Sequence, residues 1–189
     1  MTRVAGFAIL LTLSACAAPG APPPVSAADA AVPSPAGRLA ADLAAADAAF
    51  AAGKTARLVA MLPRIEREGA RALDADAADP LAAWRAAVPD ASPPLRGRAL
   101  GPGYVHGKLQ AGAATSLDQL FLSGQAASVA ARATPRQAIR LRIFDAEGKL
   151  VCDHTPAPDC RFTPIFTQRY RIELRNGGAQ SVSYYLVVD

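Results

Sequence analysis

The chain is poor in the residues from which most catalytic centres are built. Its 189 residues include three cysteines and two histidines, so an imidazole base can come from His106 or His154 alone. The nucleophile elbow Gly-x-Ser-x-Gly, the zinc-binding pair His-Glu-x-x-His, the phosphate-cradling glycine loop and the dinucleotide fingerprint are all missing. Charge of one sign is also scarce. A formal net charge of +4, spread along the chain, lacks the dense basic footprint of a dedicated nucleic-acid binder. No apolar run reaches the roughly 20 residues that a helix needs to cross a bilayer.

The few candidate chemical groups have plainer readings. His106 follows Gly103-Tyr104-Val105 near the first expected strand, where a surface or capping histidine fits best. Asp153-His154 reads as an exposed loop. Glu66 and Glu68 lie two apart on an expected helix and so point in different directions, which is poor geometry for acid–base work. Asp118, Asp145 and Asp153 could join a calcium site, but calcium takes six to eight oxygens and no dense Asp/Asn loop supplies them. We expect no metal, no cofactor and no catalytic residues; the enzyme question leans towards no.

What is present begins at the N-terminus. Arg3 gives a positive start, and Val4 to Leu13 give an apolar core of secretory-signal length. The run closes on Leu13-Ser14-Ala15-Cys16, which resembles the lipobox of bacterial lipoproteins. The resemblance implies cleavage before Cys16, diacylglycerol on its thiol and a third acyl chain on the new amine. Two or more chains anchor stably, each buried CH₂ contributing about 0.8 kcal/mol. Ala17, in place of the aspartate of the inner-membrane retention signal, implies sorting to the outer membrane, facing the periplasm. The alternative is an ordinary signal peptide cut near Ala15-Cys16-Ala17.

Cys152 and Cys160 lie eight apart in a proline-containing stretch read as a loop. In an exported chain a disulfide is the default, and closing so short a loop contributes about 2.5 kcal/mol. The rival is a metal site of Cys152, His154 and Cys160, for which no fourth ligand lies nearby in sequence.

Four segments follow from composition: a signal peptide (1–15), a lipidated cysteine with a Pro/Ala-rich linker (16–36), an Ala-rich helical segment (37–100) and a β-sandwich (101–189). The linker favours extended polyproline II, with a reach on the order of 60 Å at about 3.1 Å per residue. Within the helical segment, Leu39, Leu43 and Phe50 share a face and Gly53 offers a stop. A second helix starts near Thr55 with Leu58, Leu62, Ile65 and Leu73 on its stripe, and Pro63 predicts a kink or a restart. Asp79-Pro80 reads as an N-cap with proline at N1, opening a short helix with Leu81, Trp84 and Val88. From Gly101 the period changes to alternation. Strands are predicted over 117–122, 126–133, 138–144, 170–175 and 182–188, with turns at 145–148 and 176–178. The fold class is α+β: a C-terminal antiparallel, jelly-roll-like β-sandwich behind a short Ala-rich helical segment.

Three stretches carry a resemblance over about residues 104 to 189. They are Leu120-Phe121-Leu122-Ser123-Gly124-Gln125, then Leu141-Arg142-Ile143-Phe144-Asp145-Ala146-Glu147-Gly148, and Tyr170-Arg171-Ile172-Glu173-Leu174 with the strand 184–188. Together they are similar to the bacterial prepeptidase C-terminal domain family. That resemblance implies a small sandwich with a noncatalytic role, and it assigns no site residues. One set of residues remains suggestive. Arg140, Arg142, Arg169, Arg171 and Arg175 occupy the polar positions of two expected strands and form a candidate basic patch if those strands are neighbours. Such a patch suits anionic lipid headgroups, lipopolysaccharide or an acidic partner; outward arginines that discourage edge aggregation are the plainer reading.

The expectation is a membrane-anchored, noncatalytic envelope lipoprotein that binds or supports an envelope protein or glycan. The alternatives are a small envelope hydrolase or carbohydrate-active protein, or an accessory module of a partner enzyme.

Overall fold

The chain divides into two units, Met1–Ala31 and Val32–Asp189. The computed structural model describes residues 32–74, 77–88, 101–155 and 159–189, all in the second unit. The expected signal peptide, Cys16 and most of the proline-rich linker therefore lie outside the described residues.

Helix α1 (Pro35–Ala51) starts where local chemistry tells it to. Ser34 is its N-cap and accepts from the Gly37 amide at 2.8 Å, with Pro35 at N1. A Cβ at Gly37 would collide with the Asp159 carboxylate, which accepts from the Ser34 amide at 2.8 Å and ties the helix start to the sheet. The helix ends in a Schellman motif. Gly53, at φ +63°, donates to the Phe50 carbonyl (3.0 Å), and Lys54 donates to Ala49 (2.8 Å). Its buried stripe is Ala36, Leu39, Ala40, Leu43 and Ala46. Phe50 keeps nearly the direction of Leu39, eleven residues or about three turns earlier, but it sits in the last turn of the helix and is 41% exposed.

Helix α2 (Thr55–Arg67) buries Leu58, Leu62 and Ile65. It runs through Pro63 without a restart. The carbonyl deprived of a donor belongs to Val59, a solvent-facing residue. Leu73 is not on this helix. The chain leaves α2 at Arg67 and pairs Arg71–Ala72 (β1) in parallel with the next strand. Helix α3 (Pro80–Ala87) opens as expected, with the Asp79 carboxylate accepting from the Leu81 amide at 3.0 Å.

Eight further strands follow: β2 (Gly103–Leu109), β3 (Ala114–Phe121), β4 (Ala127–Thr134), β5 (Ile139–Phe144), β6 (Leu150–His154), β7 (Asp159–Phe162), β8 (Gln168–Asn176) and β9 (Val182–Val188). They form one sheet ordered β1-β2-β9-β4-β7, here sheet A, and another ordered β3-β8-β5-β6, sheet B. The antiparallel partners nest: β2 with β9, β3 with β8, β4 with β7, β5 with β6. That nesting is jelly-roll topology, so the structure is the helix-plus-sandwich arrangement that the pattern of the sequence points to.

Two cores result. Between the sheets lie residues such as Val129, Leu141, Ile143, Ile172, Leu174 and Leu186. On the far side of sheet A, Tyr104, Ala130, Tyr185 and Val187 meet Leu39, Leu43, Leu62, Leu81 and Trp84 of the helices. Sheet A is thus covered on both faces, which explains the nearly continuous burial of β4 and β9. Sheet B is covered on one face and alternates along β3 and β8. Asn176, within the turn expected over 176–178, ends β8 as a buried plug. Its amide donates to the carbonyls of Leu109, Gln110 and Gln180 at 2.7–3.2 Å and accepts from Gly178 at 2.9 Å.

Candidate functional site

The two cysteines lie on strands rather than in a loop. Cys152 is on β6, the edge of sheet B, and Cys160 is on β7, the edge of sheet A. They are joined in a disulfide with Cα atoms 6.2 Å apart, which staples the two sheets along one margin. Thiols bonded to each other are not metal ligands, so the rival reading of Cys152, His154 and Cys160 fails. Among the described residues no group of three His, Cys, Asp or Glu side chains converges on a metal position. Asp118, Asp145 and Asp153 sit on β3, in the β5–β6 turn and on β6 respectively; they do not come together.

Neither histidine sits in catalytic surroundings. His154 is exposed at the end of β6. His106 contacts the Ala78 carbonyl through Nε2 at 3.0 Å and stacks on Tyr185 with ring centroids 5.8 Å apart. It belongs to a polar seam between sheet A and the helices, in which Tyr104 donates its hydroxyl to Asp79. Burial, and then the Asp79 carboxylate, push the Tyr104 phenol far above its usual range. Burial and Asp47 do the same for Tyr185. These phenols are locked neutral by the carboxylates that cap and pack the helices, which is a structural role. Glu66 pairs with Arg85 at 2.6 Å, and Glu68 is the C-cap of α2.

Two cavities are lined by other residues. One, of about 710 Å³, runs between the flank of α1 and β4–β5. Its walls are alanines, including Ala44, Ala48, Ala131 and Ala133, with Lys54, Arg57, Arg132 and Arg136 around it. Burial lowers the pKa of Arg132, a tendency opposed by Asp159 and reinforced by Arg136. The other, of about 370 Å³, opens between the sheets beside Val105, Leu117 and Tyr184.

The five arginines do meet. Strands β5 and β8 are hydrogen-bonded neighbours with Arg140 opposite Arg175 and Phe144 opposite Arg171. The inward positions, Ile139, Leu141 and Ile143 on β5 with Tyr170, Ile172 and Leu174 on β8, fill the core. Alternation therefore sends Arg140, Arg142, Arg169, Arg171 and Arg175 to the outer face of sheet B. Arg140 forms a two-pronged ion pair with Asp153, its Nε at 2.7 Å from Oδ1. That hydrogen bond holds the Asp153 carboxyl below its ordinary range. Arg142 pairs with Glu173. Arg142 and Arg171 both approach the Phe144 ring, at 5.4 and 4.9 Å from its centroid. Arg169 and Arg175 have no acidic partner among the described residues. Five guanidinium charges against Asp118, Asp153 and Glu173 leave a net +2 on these strands.

The same face ends in an apolar corner that the alternation pattern does not announce. Ile165 and Phe166 are 78% and 70% exposed in the β7–β8 loop, beside Leu120 and Leu122 of the β3 end. The signal available in the sequence is the pair Ile165-Phe166 set between Pro164 and Thr167, two large apolar residues in a stretch of turn composition.

No family model matches the sequence, and no curated protein matches it either. Solved structures with a similar arrangement include a Yersinia pseudotuberculosis-derived mitogen (10% identity, 47% of this chain and 84% of that one, TM-score 0.42). A second is a periplasmic inhibitor of g-type lysozyme from Aeromonas hydrophila (8%, 47% and 84%, 0.38). A third is the pre-peptidase C-terminal domain of a Bacillus anthracis collagenase (10%, 46% and 87%, 0.41). The likeness covers about half the chain at low identity and carries no functional assignment. Among the described residues, no helix is long and apolar enough to cross a membrane.

Proposed function

We propose that this chain is a lipid-anchored, noncatalytic binding module of the bacterial envelope, most simply of the outer membrane facing the periplasm. Cys16 carries the acyl chains, the Pro/Ala-rich stretch is the spacer, and the outer face of sheet B is the binding surface for an acidic protein or anionic glycan. One observation carries the binding role. The helices cover sheet A, whereas the outer face of sheet B stays open, and the five arginines fall on that open face.

Mass spectrometry of the mature protein tests the anchor: an acylated Cys16 at the N-terminus is expected, and a retained Met1 with a bare thiol overturns it. The binding face is tested by capture from crosslinked envelopes. A reproducible acidic or glycan partner should fall about tenfold with Arg175→Glu, since a charge reversal at a contact sets like charges against each other. Equal recovery from both forms, or recovery of bulk lipoproteins alone, overturns it.

A further inference from the structure

The apolar corner of sheet B has the build of a docking point. Single exposed apolar residues are ordinary on soluble proteins, but here Leu120 and Leu122 at the β3 end and Ile165 and Phe166 in the β7–β8 loop are all exposed, on two segments that hydrogen-bond to each other. Their shape is held. The Ser123 amide donates to Thr167 Oγ1 (3.0 Å), the Ser123 hydroxyl to the Ile165 carbonyl (2.6 Å) and the Gly124 amide to the Pro164 carbonyl (2.8 Å). Beneath them Phe121, Phe162 and Tyr170 interlock with ring centroids 5.2–5.6 Å apart. The two exposed loops are thus a firm projection, not a slack one.

What surrounds the corner selects its occupant. Arg169 stands directly opposite Leu120 on the neighbouring strand, and Arg171 follows two residues on. Asp118 stands opposite Arg171 on β3 and offsets part of this charge, and Asp189 lies beside Ser128 on sheet A. Asp145 and Glu147 belong to the β5–β6 turn on the far side of the sheet from β3, so the net positive charge of the β3–β8 corner centres on Arg169. The chain also enters the described unit at this pole. Arg161, four residues before Ile165, donates to the Val32 carbonyl. At the roughly 3.1 Å per residue of polyproline II, sixteen residues from Cys16 to Val32 would reach about 50 Å.

We propose that this corner docks on an anionic phospholipid surface, Ile165 and Phe166 entering the interfacial layer while Arg169 and Arg171 meet lipid phosphates. This rests on the tethered reading above in that the surface is the membrane holding Cys16; the outer end of the face, around Arg140 and Arg175, stays open to a partner.

The test uses the full chain with Phe166→Trp. The native Trp84 is fully buried, so the unsubstituted chain supplies its background. With vesicles containing phosphatidylglycerol, the new indole should shift to the blue and be quenched several-fold by lipids brominated near the headgroup. Pure phosphatidylcholine should give much less, and adding Arg169→Gln with Arg171→Gln should weaken the response to phosphatidylglycerol about tenfold. If the chain sediments with vesicles through its N-terminus while the new indole emits as in buffer, the docking proposal fails and the tether stands. If the indole is quenched although Cys16 proves unacylated, the tether fails and docking stands. A blue shift that grows with protein concentration in the absence of lipid assigns the corner to a second copy and overturns the proposal.

Discussion

At the residue scale, the Tyr104 hydroxyl shows how a few polar atoms join two layers. Its ring is buried under the helices, and its proton goes to Asp79, which at the same time caps α3. Tyr185 answers from the neighbouring strand with Asp47 of α1. Both phenols titrate far above their ordinary range, first because burial penalises the phenolate and then because a carboxylate stands beside it. The sign of the pH dependence follows. Below about pH 10 each phenol is neutral in both the folded and unfolded states, and its full contribution is present. Above that, the unfolded phenol ionises while the folded one does not, so stability falls by about 1.4 kcal/mol per pH unit for each buried phenol. Urea unfolding followed from pH 8 to pH 11 should show that decline. Tyr104→Phe should lose about 1.5–3 kcal/mol at pH 8, as expected for a hydrogen bond to a charged acceptor, yet decline less steeply in alkali. Equal slopes for the two proteins would remove the protonated phenol from the account.

At the scale of elements, the margin formed by β6 and β7 is the thinnest part of the sandwich. β6 is mostly exposed, and β7 is four residues long and joined to sheet A by a single neighbour. The disulfide crosses from one to the other, so it acts where hydrogen bonding is least able to hold the sheets together. Replacing both cysteines by serine should cost about 2.5 kcal/mol by the loop-closure estimate, while the near-ultraviolet dichroism of the aromatic cores stays native. A loss of folded dichroism would mean that the bond holds the fold itself rather than its margin. These two strands also show where sequence reading stops. β5 and β8 were legible because apolar and arginine residues alternate cleanly when one face is buried and the other wet. β6 and β7 were hidden by their shortness and by the prolines between them. The helix caps at Ser34 and Asp79 are local chemistry, and Asp79-Pro80 could be read directly. Asp159, which ties α1 to the sheet, could not be, because its partner lies 125 residues away. The arginine face needed one fact beyond alternation, the pairing of β5 with β8. The apolar corner needed another, that its two loops close on each other.

At the scale of the whole molecule, sheet A belongs to both cores, and β9 lies between β2 and β4 at its centre. Tyr184, Leu186 and Val188 face sheet B, while Tyr185 and Val187 face the helices. The helical layer is thinner. Alanine fills much of the α1 stripe, α2 contributes three buried side chains, and α3 is eight residues long with two. Alanine buries little area and so adds little hydrophobic stabilisation. An opening that lifts α2 and α3 would expose Trp84 and part of Tyr104 and Tyr185 but leave the inter-sheet core and its disulfide intact. Native-state hydrogen exchange should therefore resolve two levels. Amides of β4 and β9 should exchange only through global unfolding, and those of α2 and α3 roughly a hundredfold faster through a partial opening. The fast class should merge towards the slow one as denaturant lowers the global barrier, because the partial opening exposes less surface. If α2 and α3 are protected as strongly as β9 from the outset, the helices and the sandwich form one cooperative unit. The Tyr104–Asp79 and Tyr185–Asp47 contacts would then be the coupling between them, and Tyr104→Phe should release the helical amides first.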